Sequence, residues 1–258
     1  METGAITGYI DVAQVALYAF WIFFAGLIYY LRQEDKREGY PLLSDRSDRV
    51  LVQGFPPIPA PKTFRLTGGH TYQAPPGQVD LREVSAAPRE KWLGAPLSPI
   101  GDPMLAGVGP GSWAERMDVP EKTSEGLNRF VPMRNMPDIT VDENDADPRG
   151  MTVVGADNVP GGIVRDIWVD LSESRIHFLE VEVPVDGGAR NVLIPMTFVR
   201  INGKARTARV AAIMGRHFAN IPGIPDPNIV TLRDEEMIVG YLGAGYLYAT
   251  PERTEPLI

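Results

Sequence analysis

The sequence predicts one transmembrane α-helix followed by a cytoplasmic, mainly-β domain, a small antiparallel barrel with a C-terminal helix. Three observations carry this prediction. Val12 to Leu31 (VAQVALYAFWIFFAGLIYYL) is a run of twenty residues without a charge. Fifteen of the 24 prolines fall between Pro41 and Pro137, where long helices and central strands are therefore excluded. From Val153 onward, short alternating apolar segments are separated by turn residues, the pattern of a sheet with one buried face.

At about 1.5 Å per residue the apolar run spans roughly 30 Å as a helix, the thickness of a bilayer's hydrocarbon core. Asp11 is placed to cap its first turn, and Tyr9, Tyr29 and Tyr30 stand where amphipathic rings settle at the two interfaces. No Lys or Arg precedes the helix, whereas Arg32, Lys36 and Arg37 follow it closely. The positive-inside rule then sets residues 1–11 outside, the helix at 12–31, and the remainder in the cytoplasm. A cleaved signal peptide would need a basic leader, a shorter apolar core and a small-residue cleavage site, none of which is clearly present. A buried core helix is the other alternative for such a run.

Composition narrows the function classes. With 33 acidic and 25 basic residues the net charge is -8, which argues against nucleic acid as a partner and against anionic lipid as the main one. There is no cysteine, so disulfides, thiolate metal sites and cysteine nucleophiles are excluded. His70, His177 and His217 are the only histidines, and no two stand at ligand spacing.

Residues 32–60 read as a helix extension and a link. Alternating charges from Arg32 carry the helix on for a turn or two, Gly39 and Pro41 stop it, and the polar, unpatterned Leu43 to Gln53 is a mobile stretch. Residues 61–147 form a proline-rich extended segment with short apolar runs and no evident core of its own, so a partner surface is expected to order it. Within it, Gly107 to Gly111 (GVGPG) has the wrong spacing for a phosphate loop, and Pro110 lacks an N–H; Ser112 with Glu115 instead fits a capping box opening a short helix through Trp113. The run Asp142 to Asp147 (DENDAD) lacks the glycine of a calcium loop and reads as a solvated acidic loop.

The barrel occupies 148–225. Ile163 to Leu171, His177 to Val183, Asn191 to Ile194, Phe198 to Ile201 and Lys204 to Val210 are the expected strands, with Asn202-Gly203 as a two-residue hairpin turn. Lys204, Arg206 and Arg209 form a basic edge that protects against strand pairing. Residues 226–258 hold a helix capped by Thr231 and running from Leu232 to about Gly240, with Asp234, Glu235 and Glu236 in its first turns, a loose end at Gly243 and Gly245, and an exposed tail.

Several of these stretches are long and unusual. YAFWIFFAGLIYYLRQEDKREGYPL, PKTF at Pro61 to Phe64, GDPMLAGVGPGSWAER at Gly101 to Arg116, VRDIWVD at Val164 to Asp170, FLEVEV at Phe178 to Val183, LIPM at Leu193 to Met196 and EEMIVGYLGAGYLYATPER near the end follow one another in order. Together they resemble the H subunit of the purple-bacterial photosynthetic reaction centre, and the strand region resembles the PRC-barrel domain. The resemblance implies a non-enzymatic subunit of the bacterial inner, intracytoplasmic membrane, its first residues periplasmic, that caps the cytoplasmic face of the L and M subunits. It implies that this chain binds no cofactor or metal itself. Bacteriochlorophyll, bacteriopheophytin, quinones and a non-haem iron would be held by L and M, with a cytochrome subunit, a light-harvesting complex and membrane lipid as further neighbours. The implied roles are stabilising the complex, shielding the quinone sites and feeding protons to the secondary quinone.

On that resemblance Glu173, in the connection after IWVD, matches the family's proton-path glutamate, with Asp170 second and His177 third. Burial would raise the pKa of Glu173, whereas Arg175 or a protonated His177 nearby would lower it. Two departures limit the transfer. Some members carry a surface histidine pair for proton uptake where this chain reads Ser124 to Arg129 without histidine, so uptake would fall to Asp118, Glu121 and Glu125. Relatives also carry arginine where this chain has His177, a titratable group in place of a permanent charge. Apart from the resemblance, a membrane-anchored adaptor or scaffold built on the same barrel remains open, and an anchored enzyme lacks any nucleophile–base pair or cofactor loop in the sequence.

Overall fold

The computed structural model describes residues 4, 6, 7, 10–44, 47–77, 83–92 and 94–254, with the backbone alone for 43, 44 and 47–51. The interfacial position expected of Tyr9 lies outside the described residues. The chain divides into two compact units, one built on residues up to 81 together with 92–94, the other on 82–91 and 95 onward.

In the first unit, helix α1 (Val12–Glu34) begins where the Asp11 carboxylate accepts from the Gln14 N–H at 2.7 Å, and none of its residues is buried. Val12–Arg37 is long and apolar enough to cross a membrane. A single 3-10 turn, Asp35–Arg37, continues it and carries two buried cations. Lys36 Nζ donates to the carbonyls of Gln53 and Pro56 at 2.5 and 2.6 Å, and Arg37 to those of Ala60 and Ala74 at 2.7 and 2.9 Å. These donors hold the chain that follows against the end of the helix. Strands β1 (Leu42–Ser44) and β2 (Ser47–Val52) pair antiparallel, so the described part of the expected mobile stretch is a hairpin. A second hairpin joins β3 (Lys62–Arg65) to β4 (Thr71–Ala74).

The second unit opens with the hairpin of β5 (Ala86–Pro88) and β6 (Leu97–Pro99). Its main sheet contains β7 (Phe130–Pro132), β8 (Thr152–Val154), β9 (Pro160–Asp170), β10 (Arg175–Val185), β11 (Gly188–Pro195), β12 (Val199–Asn202) and β13 (Thr207–Val210). The order is β11-β10-β9-β8-β13-β12, with β7 added on β9, and only the β8–β13 pairing is parallel. Bulges between Ile176 and Phe178 and between Glu180 and Val181 help the long β9–β10 ribbon to curl. Helix α2 (Leu232–Tyr248) belongs to the same unit, and Trp168, Phe178, Phe218, Ile213, Ile238 and Leu242 are fully buried in one core.

The structure corrects several expectations. Met104, Phe130 and Met133 lie in the barrel's core, so part of the proline-rich segment is ordered by this chain itself. No helix opens at Ser112: Gly109–Gly111 forms a 3-10 turn, and the Ser112 hydroxyl donates back to the Gly109 carbonyl at 2.8 Å. Helix α2 extends past Gly240 to Tyr248, because its glycines are close-approach positions and not breakers. A Cβ on Gly243 would stand 2.9 Å from the Pro110 carbonyl oxygen, and one on Gly245 would stand 2.5 Å from that of Ala212. The tail's first part is tied down, since Arg253 donates to the carbonyls of Ala212 and Gly245, each at 2.6 Å.

The β12–β13 turn has four residues, not two. Asn202 pairs with Thr207, and the Asn202 side chain accepts from the Ala205 N–H at 3.0 Å. Gly203 is small there because Ala146 lies against it, and the left-handed residue of the turn is Arg206. Strand β13 has neighbours on both sides, so Arg209 is not on the sheet edge that the sequence suggested.

Candidate functional site

Strand β9 is buried on both faces over its last five residues, Asp166 to Asp170. Alternation puts Asp166, Trp168 and Asp170 on one face. Strand β7 pairs with this end of β9, and an arginine stands near each of its ends. Arg134 takes Asp166, Arg129 takes Asp170, and the sequence spacing of the two acids is thereby read by two cations.

Arg129 gathers three carboxylates. Its Nη2 lies 2.7 Å from Asp170 Oδ2 and 3.1 Å from Glu173 Oε1, its Nε is 3.1 Å from both Asp170 oxygens, and its Nη1 is 2.8 Å from Glu121 Oε1. Asp170 is fully buried and also accepts from the Ser172 N–H at 2.9 Å and the Glu173 N–H at 3.3 Å. Burial pushes the Asp170 carboxyl upward, but the Arg129 guanidinium and the Ser172 N–H outweigh it and hold the group below the ordinary carboxylate range. Arg129 is correspondingly pushed up by Asp170 and Glu121. Glu173 is 46% exposed, and its second oxygen meets Arg175 Nε at 2.9 Å.

His177 does not join this group through Glu173. It is the bulged residue of β10, and its Nε2 lies 3.0 Å from Glu235 Oε1 in the first turn of α2. Its ring stacks on Phe130 at 4.1 Å and 25°, and the Arg129 guanidinium lies over the same Phe130 ring at 5.2 Å. Of the uptake candidates, Glu121 is in the Arg129 cluster, Asp118 pairs with Arg233 of α2, and Glu125 sits in the exposed turn whose N–H groups cap onto Thr123 Oγ1.

The second clamp was not foreseen from sequence. Arg134 Nη1 lies 3.0 Å from Asp166 Oδ2 and 2.5 Å from Glu180 Oε2, while Trp168 Nε1 and Asn191 Nδ2 donate to Glu180 at 2.9 and 2.7 Å. Neither Arg129, Arg134 nor Glu235 has a spacing motif that announces its role. Only the strictly alternating Asp-x-Trp-x-Asp of β9 hinted that acids were being placed inside. Among the described residues no three His, Asp or Glu side chains converge as a metal site.

The family described as photosynthetic reaction centre, H-chain N-terminal region, matches residues 4–135, just over half of the chain. The chain belongs to the reaction-centre H-chain family. A second match, the PRC-barrel domain, covers residues 140–212 of the H chain and coincides with β8 to β13. The chain is thus a reaction-centre H subunit with an apolar N-terminal helix for membrane anchoring, and its Arg129 cluster joins the first matched region, which supplies Glu121 and Arg129, to the PRC-barrel, which supplies Asp170 and Glu173.

Proposed function

We propose that the H chain caps the cytoplasmic face of the L and M subunits, stabilises the complex, keeps water from the quinone sites and passes protons toward the secondary quinone during light-driven electron transfer. On this reading it is a structural and proton-conducting subunit. Bacteriochlorophyll, bacteriopheophytin, quinones and the non-haem iron are held by L and M. A cytochrome subunit and a light-harvesting complex are further neighbours, and residues 1–11 face the periplasm of a bacterial inner membrane. Exposed apolar side chains of the second unit, among them Leu97, Ile100, Leu105 and Leu127, are surface that such partners would cover.

The observation that supports the proton role is a charge imbalance. Among the described residues, the only cations that Glu121, Asp170 and Glu173 meet are Arg129 and Arg175, three carboxylates against two guanidinium groups. One proton can therefore enter the cluster without leaving a cation unmatched. Asp170 is a poor carrier, because protonating it would disrupt bonds from Arg129, Ser172 and Glu173 in a dry site. Glu173 is half-exposed, accepts guanidinium bonds at each oxygen and can exchange a proton with water on one side and the cluster on the other. Glu121, also part-exposed, is the uptake side of the same cluster. His177, hydrogen-bonded to Glu235 and stacked on Phe130, is the third candidate group.

The test is the rate of the proton-coupled second electron transfer to the secondary quinone in the assembled complex, wild type against Glu173→Gln, across pH. Glutamine keeps the shape and loses the exchangeable proton. A slowed second transfer with the first one intact is expected. An unchanged rate would leave the H chain as a cap and scaffold.

A further inference from the structure

The outer face of the β12–β13 hairpin carries a cleft of about 920 Å³ whose lining includes Arg200, Lys204, Arg209, Asn158, Asn202 and Val154 and no carboxylate. Arg200 and Arg209 are direct cross-strand partners. Their neighbours in sequence Val199, Ala208 and Val210 turn to the other face, where Ala208 and Val210 are fully buried, while Ile201 packs against that core and also lines the cleft. Two like charges opposite one another on adjacent strands repel. Elsewhere several surface arginines face carboxylates: Arg165 with Glu182, Arg149 with Asp147, Arg175 with Glu173 and Arg233 with Asp118. In the cleft, Arg209 donates only to the Ala156 carbonyl at 3.0 Å, and Arg200 and Lys204 have no hydrogen bond or ion pair among the described residues.

We propose that this cleft binds phosphate groups, with the two guanidinium forks and the Lys204 ammonium sharing a di-anionic or poly-anionic phosphate between them. Guanidinium matches phosphate oxygens in bidentate fashion, and a group bearing at least two negative charges offsets the Arg200–Arg209 repulsion, which a single carboxylate does only in part. With the chain at -8 overall, long-range attraction does not favour anions, so affinity rests on the local match in the cleft. The phosphate belongs either to a soluble polyphosphate compound or to a lipid headgroup.

The experiment is a calorimetric titration of the full chain in neutral detergent at low ionic strength with inorganic pyrophosphate, wild type against the double variant Arg200→Gln/Arg209→Gln. Pyrophosphate is expected to bind wild type about tenfold or more tightly than the variant, the scale of losing charge-assisted hydrogen bonds. Without ligand the variant is expected to melt at the wild-type temperature or about 1–3 °C above it, which shows both that it folds and that the repulsion was real. Competition by 1,3-bis(glycerophospho)glycerol, a deacylated lipid headgroup with two phosphodiester charges, assigns the site to a headgroup, and its failure to compete assigns it to a soluble compound. Equal binding of pyrophosphate by both proteins overturns the proposal, as does tighter binding of a hexaglutamate peptide, which would make the cleft a docking surface for an acidic protein.

Discussion

His177 stands on the β10 bulge and places its Nε2 3.0 Å from Glu235 Oε1, joining the sheet to the first turn of α2. The Glu235 carboxylate and the stacked Phe130 ring, which Arg129 also covers, fix the imidazole from two directions. His177→Phe keeps a ring against Phe130 but cannot meet Glu235, and is therefore expected to cost about 1–2 kcal/mol of stability, the scale of a hydrogen bond to a charged group. Thermal unfolding followed by circular dichroism measures it; an unchanged midpoint would mean that the contact adds nothing to the docking of α2.

Asp170→Asn is expected to destabilise the second unit by about 3 kcal/mol at pH 7, because it leaves Arg129 with its principal buried partner uncharged. The sign with pH follows from the lowered Asp170 pKa. A carboxyl depressed in the folded state contributes its stabilisation in full above the unfolded value near 4, and loses it as pH falls through the folded one. Thermal unfolding followed by circular dichroism should therefore show a gap between wild type and variant at pH 7 that narrows toward about pH 3.

Arg134→Gln should cost about as much, on the order of 3 kcal/mol, since Asp166 and Glu180 are both nearly buried and share that one guanidinium. Glu180 also holds the Trp168 indole N–H, so an altered tryptophan emission spectrum is expected alongside the lost stability. A stability loss with unchanged emission would mean that Trp168 keeps its acceptor without Arg134.

Gly245→Ala should destabilise by about 1–3 kcal/mol although alanine is the better helix former by nearly 1 kcal/mol. The new Cβ would stand 2.5 Å from the Ala212 carbonyl oxygen and 2.6 Å from Ile213 Cγ2, backbone and core atoms that cannot swing away. Gly188→Ala, with nothing within 4 Å of its Cβ position, is the control and should change stability by less than about 0.5 kcal/mol. Chemical denaturation of both variants compares them directly.

Much of the fold was legible because the relevant signals are local. The uncharged run of α1, the Asp11 and Thr231 caps and the alternation in β9 and β10 each depend on residues a few positions apart, and the observed caps use the expected side chains. The errors came where a distant segment decided the outcome. Gly243 and Gly245 read as helix breakers, until the Pro110 and Ala212 carbonyls are seen to need the space. Asn202-Gly203 reads as a two-residue turn, until Ala146 is found against Gly203.

The same division holds for the site. Sequence alone determined the apolar span, the absence of cysteine chemistry, the barrel strands, and the placement of Asp170 and Glu173 around one turn. Tertiary structure alone decided that Arg129 joins Glu121, Asp170 and Glu173, that His177 turns to Glu235, and that Arg134 bridges Asp166 and Glu180. Ion pairing depends on the separation of charged groups in space, and a dry interior magnifies it, so partners 40 or more residues apart in the chain leave no mark on local pattern.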